Sequence, residues 1–345
     1  MVSKKPDTNS SVHPGRLRLA VRLSSNLGSD TLLKGAKLAE EIGFDRCWFA
    51  DNPYERSALV TVAAVSQVTS RIGLGVGTVS VRTRHPMMLA QDAMAVAAYC
   101  EGRFTLGLGT GIESHRATLG LRKAGGLGLM ENTVAQLRQL FKGDQLAFEG
   151  GDSSEAGLQF GTIGLPIFIG AVGPRSLDLT GRIADGVIFS NGCNLAYLKR
   201  AIGLIVDAAT EAGRGDVPFE RVAYIIYGGS VDRAEANRRL KTVVGYYVEH
   251  MAVMFIGSPM GDEAAALARA LRSGGSAQEL VTDEMVDGTS VWGDPERCVA
   301  QLQIYQELGI DEVALSIGDW LPDPVKGIRD AAAVVDLWSQ KSVHA

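Results

Sequence analysis

Eight times after Arg16, a short apolar run gives way to a helical pattern with one apolar face, and few architectures accommodate that rhythm. The first run, RLRLAVRLS (16–24), alternates with period two and is rich in Leu and Val, which predicts a strand. Ser29-Asp30 offers an N-cap to a helix in which Leu33, Ala36, Ala39 and Ile42 share a face. RCWFAD (46–51) predicts the second strand, with a helix over 57–69, and IGLGVGTVS (72–80) the third, with a helix over 86–100 opened by Pro86. FTLGLGTG (104–111), PIFIGAVG (166–173), GVIFSNG (186–192), RVAYIIYGGSV (221–231) and DEVALSI (311–317) predict the remaining five, each followed by a helical segment. Near-continuous apolar runs of this kind belong to strands buried on both faces of a parallel sheet. Eight sequential βα units in 345 residues predict one α/β domain closed into a (β/α)8 TIM barrel, with a doubly wound open sheet as the alternative.

Two stretches exceed the repeat: the glycine-rich residues 144–165, and residues 255–293, rich in Ser, Gly and Asp with a helical pattern. Insertions after barrel strands sit over the catalytic face, so 255–293 is the expected lid, with Trp292 as an apolar wall. Residues 1–15 are polar and read as a disordered arm ahead of a single domain over 16–345.

Charge narrows the partners. With 34 basic and 39 acidic residues the net charge is −5, which gives no electrostatic footprint for nucleic acid or an anionic membrane. No uncharged apolar run is long enough to span a bilayer. Cys47, Cys100, Cys193 and Cys298 are far apart and read as small buried thiols, which suits a cytoplasmic protein. The five histidines form no His-Glu-x-x-His and no cluster with cysteine, so no metal site is expected.

In a barrel the site forms at the C-terminal ends of the strands. Here those ends carry Asp51-Asn52, Gly77-Thr78-Val79-Ser80, Thr110-Gly111-Ile112-Glu113, Gly173-Pro174-Arg175-Ser176 and Ser190-Asn191-Gly192. Glycine, small hydroxyls and amides suit a flat ring and a phosphate held through backbone groups. GLGVG (73–77) and GLGTG (107–111) do not complete a dinucleotide fingerprint, and there is neither a P-loop nor a Gly-x-Ser-x-Gly elbow.

The segments WFADN (48–52), GVGTVSVRTRHP (75–86), GRFTLGLGTG (102–111), PIFIGAVGPRSLDLTGRIADGVIFSNG (166–192) and GDPERCVAQLQIYQELGIDEVALSIG (293–318) resemble the luciferase-like flavin/deazaflavin superfamily. Within it the chain most resembles the methylenetetrahydromethanopterin reductase branch, which uses coenzyme F420. The resemblance runs from Arg16 to about Trp338. It implies a ring lying over a bulge at the end of the third strand, often with a non-prolyl cis peptide, for which Gly77-Thr78 is the matching pair. Ser80, Thr110 and Gly111 belong to the same cofactor wall. Asp51-Asn52 matches an acidic-His pair facing the reactive side of the ring. Asn52 stands where the family has His, and an amide cannot donate a proton near neutral pH. Glu113, one position past a catalytic Glu of some deazaflavin enzymes, is the third catalytic candidate, with His115 nearby. Gly173, Pro174, Arg175 and Ser176 match the phosphate-binding turn, which helix N–H groups and dipole favour, and Ser190 and Asn191 complete that pocket.

The expected activity is hydride transfer between the deazaflavin C5 and a small organic substrate. The alternatives are an FMN-dependent two-component monooxygenase served by a flavin reductase, and a flavin-binding protein without turnover. Helix 86–98 and helix 57–69 are rich in Ala, Val and Met, which predicts a homodimer or higher homo-oligomer. Tyr246, Tyr247, Met251, Met254 and Phe255 form a stripe expected to be core or subunit interface rather than cofactor wall.

Overall fold

The computed structural model describes residues 16–121, 125–148, 151, 154–229, 233–251, 261–318, 320–321 and 323–343. The expected arm over 1–15 lies outside the described residues. The strands, in chain order, are β1 (Arg18–Leu23), β2 (Arg46–Phe49), β3 (Gly73–Ser80), β4 (Phe104–Gly109), β5 (Ile167–Gly170), β6 (Gly186–Phe189), β7 (Glu220–Tyr227), β8 (Ser290–Val291) and β9 (Glu312–Ile317). All pair in parallel, β1 joins both β2 and β9, and β6 joins β7, so β1 to β7 with β9 close a barrel of eight. The eighth predicted strand is thus the ninth in the chain. The two-residue β8 extends β7 at Ile226 and Tyr227, outside the ring.

Helices follow the strands as the patterns predict, most of them within one to three residues of the expected ends. They are α1 (Ser29–Ile42), α2 (Ala58–Ser66), α3 (Pro86–Cys100), α4 (Glu113–Thr118), α5 (Gly126–Lys142), α6 (Pro174–Ile183), α7 (Leu195–Glu211) and α8 (Arg233–Met251). Then come α9 (Gly261–Arg272), α10 (Ala277–Leu280), α11 (Asp283–Asp287), α12 (Pro295–Glu307), α13 (Pro324–Asp330) and α14 (Ala332–Val343). Pro86, Pro174 and Pro295 each open a helix, and Asn194 and Asp294 cap α7 and α12 through their side chains. The long helix between β4 and β5, α5, begins at Gly126, in a glycine-rich stretch. Burial of Met130, Val134, Leu137 and Phe141 along its inner face offsets the poor propensity of Gly126 and Gly128.

Inside the barrel, large and small residues interlock. Trp48, Phe168 and Tyr224 pack with Ala20, Ile188, Val222 and Ala314. The glycine-laced strands supply the room: a Cβ on Gly75 would lie 2.3 Å from the Trp48 ring, and one on Gly186 would lie 2.8 Å from Phe168. Glycine inside a strand marks a close approach by another group, and in the barrel interior the approaching group is aromatic.

The N-terminal end of the barrel is sealed by ion pairs. Glu312, fully buried, accepts from Trp48 Nε1 at 2.6 Å and pairs with Arg18 at 3.1 Å and Arg46 at 3.0 Å. Glu220 pairs with the same two arginines. Around this plug, Asp45, Asp185 and Asp311 each precede a strand and accept the backbone N–H of a neighbouring strand residue, Leu19, Ile167 and Arg221, at 2.8 Å each. Each returns its own N–H to the carbonyl of that same residue. The same device thus fixes the strand register at three points.

Candidate active site

A cavity of about 990 Å³ opens at the C-terminal ends of the strands. One wall is the end of β3 against β4. There the register shifts between Val76 and Val79, and the Gly77–Thr78 peptide bond is cis, the geometry the resemblance implied. This wall is built without projecting side chains at three points. A Cβ on Gly77 would lie 1.9 Å from Tyr224 Oη, one on Gly109 would lie 2.3 Å from Thr78 Oγ1, and one on Gly170 would lie 2.8 Å from Thr78 Cγ2. The three glycines thus let the Tyr224 hydroxyl and the Thr78 side chain pack closely, and the low wall of glycines and small hydroxyls that results fits an isoalloxazine-type group. Gly111 adopts φ 74°, which glycine takes at no steric cost, and Ser80 Oγ accepts the N–H of Arg82 at 3.3 Å.

Of the residues singled out in the sequence, Asp51, Asn52, Gly77, Thr78, Ser80, Thr110, Gly111, Ser190 and Asn191 line this cavity together. Asp51 is fully engaged: Oδ1 accepts the N–H of Ala58 in the first turn of α2 at 3.1 Å, and Oδ2 pairs with Arg84 at 2.8 Å. Asn52 donates to Glu55 Oε1 at 2.8 Å and accepts the N–H of Tyr54 at 3.1 Å. Asn191, buried, accepts from Ser316 at 2.7 Å and donates to Tyr247 Oη at 2.9 Å, which ties β6, β9 and α8 to one another.

Gly173, Pro174, Arg175 and Ser176 open α6 beside the lining residue Val172 without lining the cavity themselves. The Ser176 hydroxyl donates to Gly173 O at 2.8 Å, and the Ser176 N–H also bonds Gly173 O, so the turn uses its own donors. Glu113 begins α4, and its side chain lies outside what the structure describes. His115 does line the cavity, its ring 4.9 Å from Tyr54 and nearly perpendicular to it. Burial lowers the pKa of His115 below the ordinary histidine value.

The other walls differ from expectation. Tyr246, Tyr247 and Met251 of α8 line the cavity, so the stripe expected to be core or interface is a wall of the site; Met254 and Phe255 lie outside the described residues. Of the expected lid, residues 261–293 do not contribute to the cavity lining, and α9, α10 and α11 pack on α8 instead. Residues 255–260 lie outside the described residues. Trp292 is buried away from the site. Its Nε1 donates to Asp287 at 2.8 Å, and the Arg297 guanidinium lies 4.8 Å from its ring. Arg22, Tyr224 and Trp320 also line the cavity and were not anticipated. Arg22 had a readable signal: in the period-two pattern of the first strand it shares a face with Arg18 and Ala20, nearest the C-terminal end.

The sequence profile of the luciferase-like monooxygenase family matches residues 16–312. The chain belongs to this family. It is similar to the 5,10-methylenetetrahydromethanopterin reductase of Methanolobus tindarius, at 29% identity over 83% of this chain and 90% of that protein. An F420-dependent glucose-6-phosphate dehydrogenase of Microbacterium testaceum is 27% identical over 85% of this chain and 89% of its own length. Among solved structures, the coenzyme F420 dependent tetrahydromethanopterin reductase of Methanopyrus kandleri superposes with a TM-score of 0.80 at 23% identity, over 94% of this chain and 99% of that one. That likeness shows the shared barrel fold.

The four cysteines are buried free thiols, and burial raises the pKa of each, Cys100 to about 11. Among the described residues no group of three His, Cys, Asp or Glu could hold a metal ion, and no helix is long and apolar enough to cross a membrane.

Proposed function

We propose that the chain is an F420-dependent oxidoreductase that moves a hydride between the deazaflavin C5 and a small organic substrate. The observation that carries this reading is the cavity wall at the Gly77–Thr78 bulge, lined by Gly77, Gly109 and Gly170 with the small side chains of Thr78 and Ser80. The reductase and dehydrogenase relatives, named for F420 or its pterin substrate, support it. When bound, the cofactor supplies the two-electron chemistry, and the protein supplies binding, orientation and electrostatics.

Each residue then has a task. Gly77, Thr78, Ser80, Thr110 and Gly111 hold the ring, with Ser190 and Asn191 across from them. The exposed guanidinium and the backbone N–H of Arg175, at the start of α6, hold the phosphate. Asp51, with both oxygens committed, positions Arg84 and the start of α2 at the rim of the site. Asn52 shapes the loop that carries Tyr54 and Glu55. Tyr246 and Tyr247 exclude water from the substrate side, which hydride transfer requires. Val60, Met88 and Tyr99 on α2 and α3 are 70%, 48% and 61% exposed, and this apolar face supports a homodimer, measurable by light scattering.

Anaerobic equilibrium titration of cofactor-free protein with F420 and with FMN tests the reading. Micromolar or tighter F420 binding, at least tenfold stronger than FMN (about 1.4 kcal/mol), is expected. The reverse preference would favour an FMN-dependent two-component monooxygenase, in line with the monooxygenase of the family description, and binding of neither would overturn the site.

A further inference from the structure

The cavity is lined by four arginines, Arg22, Arg82, Arg84 and Arg116, and by two carboxylates, Asp51 and Glu55. Most of these charges are spent locally. Arg84 is held by Asp51, Arg116 donates to Leu121 O at 2.8 Å, and Glu55 accepts from Asn52. Arg22 is different. Near the C-terminal end of β1 it lines the cavity floor, and among the described residues its side chain has neither an ion pair nor a hydrogen bond. Its Nε is buried without an acceptor, and its guanidinium lies 5.4 Å from the Tyr224 ring centroid. Tyr224 Oη is likewise buried and unpartnered, and burial raises its pKa, so the hydroxyl stays a neutral donor. A half-buried guanidinium with a buried Nε and a buried hydroxyl, both without acceptors, carry a desolvation cost that a ligand oxygen relieves.

We infer that Arg22 and Tyr224 form a seat for a carboxylate of the substrate and thereby select the substrate class. This rests on the hydride-transfer reading of the cavity. A guanidinium presents two parallel N–H donors that match a planar carboxylate. One fixed cation with one neutral hydroxyl balances a single negative charge, whereas a phosphate dianion would be left half compensated. The seat lies on the barrel floor beside Gly77, so an acid bound there has its neighbouring carbons next to the cofactor wall. The substrate class is therefore a small organic acid whose reacting carbon lies close to its carboxylate.

The test compares benzoate with benzamide, a pair of matched shape that differs in charge, by calorimetric titration of F420-loaded and F420-free protein. The account expects wild type to bind benzoate at least tenfold more tightly than benzamide. Arg22→Met abolishes that preference while the F420 Kd stays within threefold, Arg22→Lys retains part of it, and Tyr224→Phe reduces it. Arg22→Lys and Tyr224→Phe keep the test decisive if Arg22→Met does not fold. No preference in wild type, or a preference undiminished in Arg22→Met, overturns the seat. A tenfold loss of F420 affinity in Arg22→Met with an unchanged benzoate-to-benzamide ratio also overturns it, since Arg22 would then serve a cofactor oxygen. If wild type binds no F420 but F420-free protein keeps the Arg22-dependent preference, the seat stands and the F420 reading fails.

Discussion

The two ends of the barrel interior carry the same kinds of residue and use them in opposite ways. At the N-terminal end, Arg18 and Arg46 share Glu312 and Glu220, and Glu312 also takes the Trp48 N–H. At the C-terminal end, Arg22 stands on the same strand as Arg18, four residues on, with an aromatic ring beside it and no carboxylate paired to it among the described residues. One end is satisfied by the protein itself, and the other is left to be satisfied by a ligand. The contrast fits the general division in such barrels between a stabilising face and a catalytic face. It also shows that the charge of an inward-facing residue says little until its partners are known.

Breaking the satisfied end has the largest expected effect. Glu312→Gln leaves two half-buried guanidinium groups with only the partly exposed Glu220 between them; fully buried uncompensated charge costs about 3–5 kcal/mol, and the loss here should approach the lower end of that range. Urea unfolding should show that loss, while the F420 Kd of the protein that remains folded is unchanged. An unchanged unfolding midpoint would dissolve the contrast.

Crowding the open end comes next. Gly77→Ala places a methyl 1.9 Å from Tyr224 Oη, and overpacking of this kind costs about 1–3 kcal/mol. Here the more telling readout is binding: F420 affinity should fall at least tenfold by titration, because the wall moves.

Removing the orphaned hydroxyl has a smaller effect and the opposite sign. Tyr224→Phe deletes a buried polar atom without a partner, so ligand-free stability should hold or rise by up to about 1 kcal/mol. The ligand-induced rise in Tm should shrink at the same time. A destabilised ligand-free protein would mean that the hydroxyl is already satisfied.

The smallest effect returns to the N-terminal end. Glu40 receives the N–H groups of Ser70, Arg71 and Ile72 at 2.8, 2.5 and 3.0 Å, just ahead of β3. Burial alone would raise its pKa, but the three donors outweigh it and hold the carboxyl below its ordinary value. The unfolded chain then binds the proton more readily. The contribution is present above the ordinary glutamate pKa and is lost as pH falls through the lower folded value. Glu40→Gln should flatten the acid limb of the stability profile slightly, by urea midpoints measured from pH 7 to about pH 3.

Much of this was legible in the sequence, and the limits are physical. Strand and helix order followed from period two against period 3.6, and β3, α3 and β9 lie within a residue of their expected bounds. Asp51, Asn52, Gly77, Thr78, Ser80, Thr110, Gly111, Ser190 and Asn191 line one cavity because closure of a parallel barrel brings the C-terminal strand ends to one face, whereas Gly173 to Ser176 open α6 outside that lining. The lid did not, since residues 261–293 carry an amphipathic pattern that α8 satisfies, and composition cannot say which neighbour buries a face. Tyr246 and Tyr247 were misplaced for the same reason: helical spacing shows a stripe but not what it faces. The Glu312 network joins residues up to 294 positions apart, a distance over which no local pattern operates. Arg22 was the readable exception, a cation on the inward face of the first strand that lies nearest its C-terminal end.

A crystal structure of the protein with F420 tests the central claim most directly. The account predicts the deazaflavin ring against the Gly77–Thr78 bulge, with Arg22 and Tyr224 facing the remaining space. A ring bound outside this cavity, or turned so that Arg22 and Tyr224 are left without a ligand oxygen and without room for one, would contradict it.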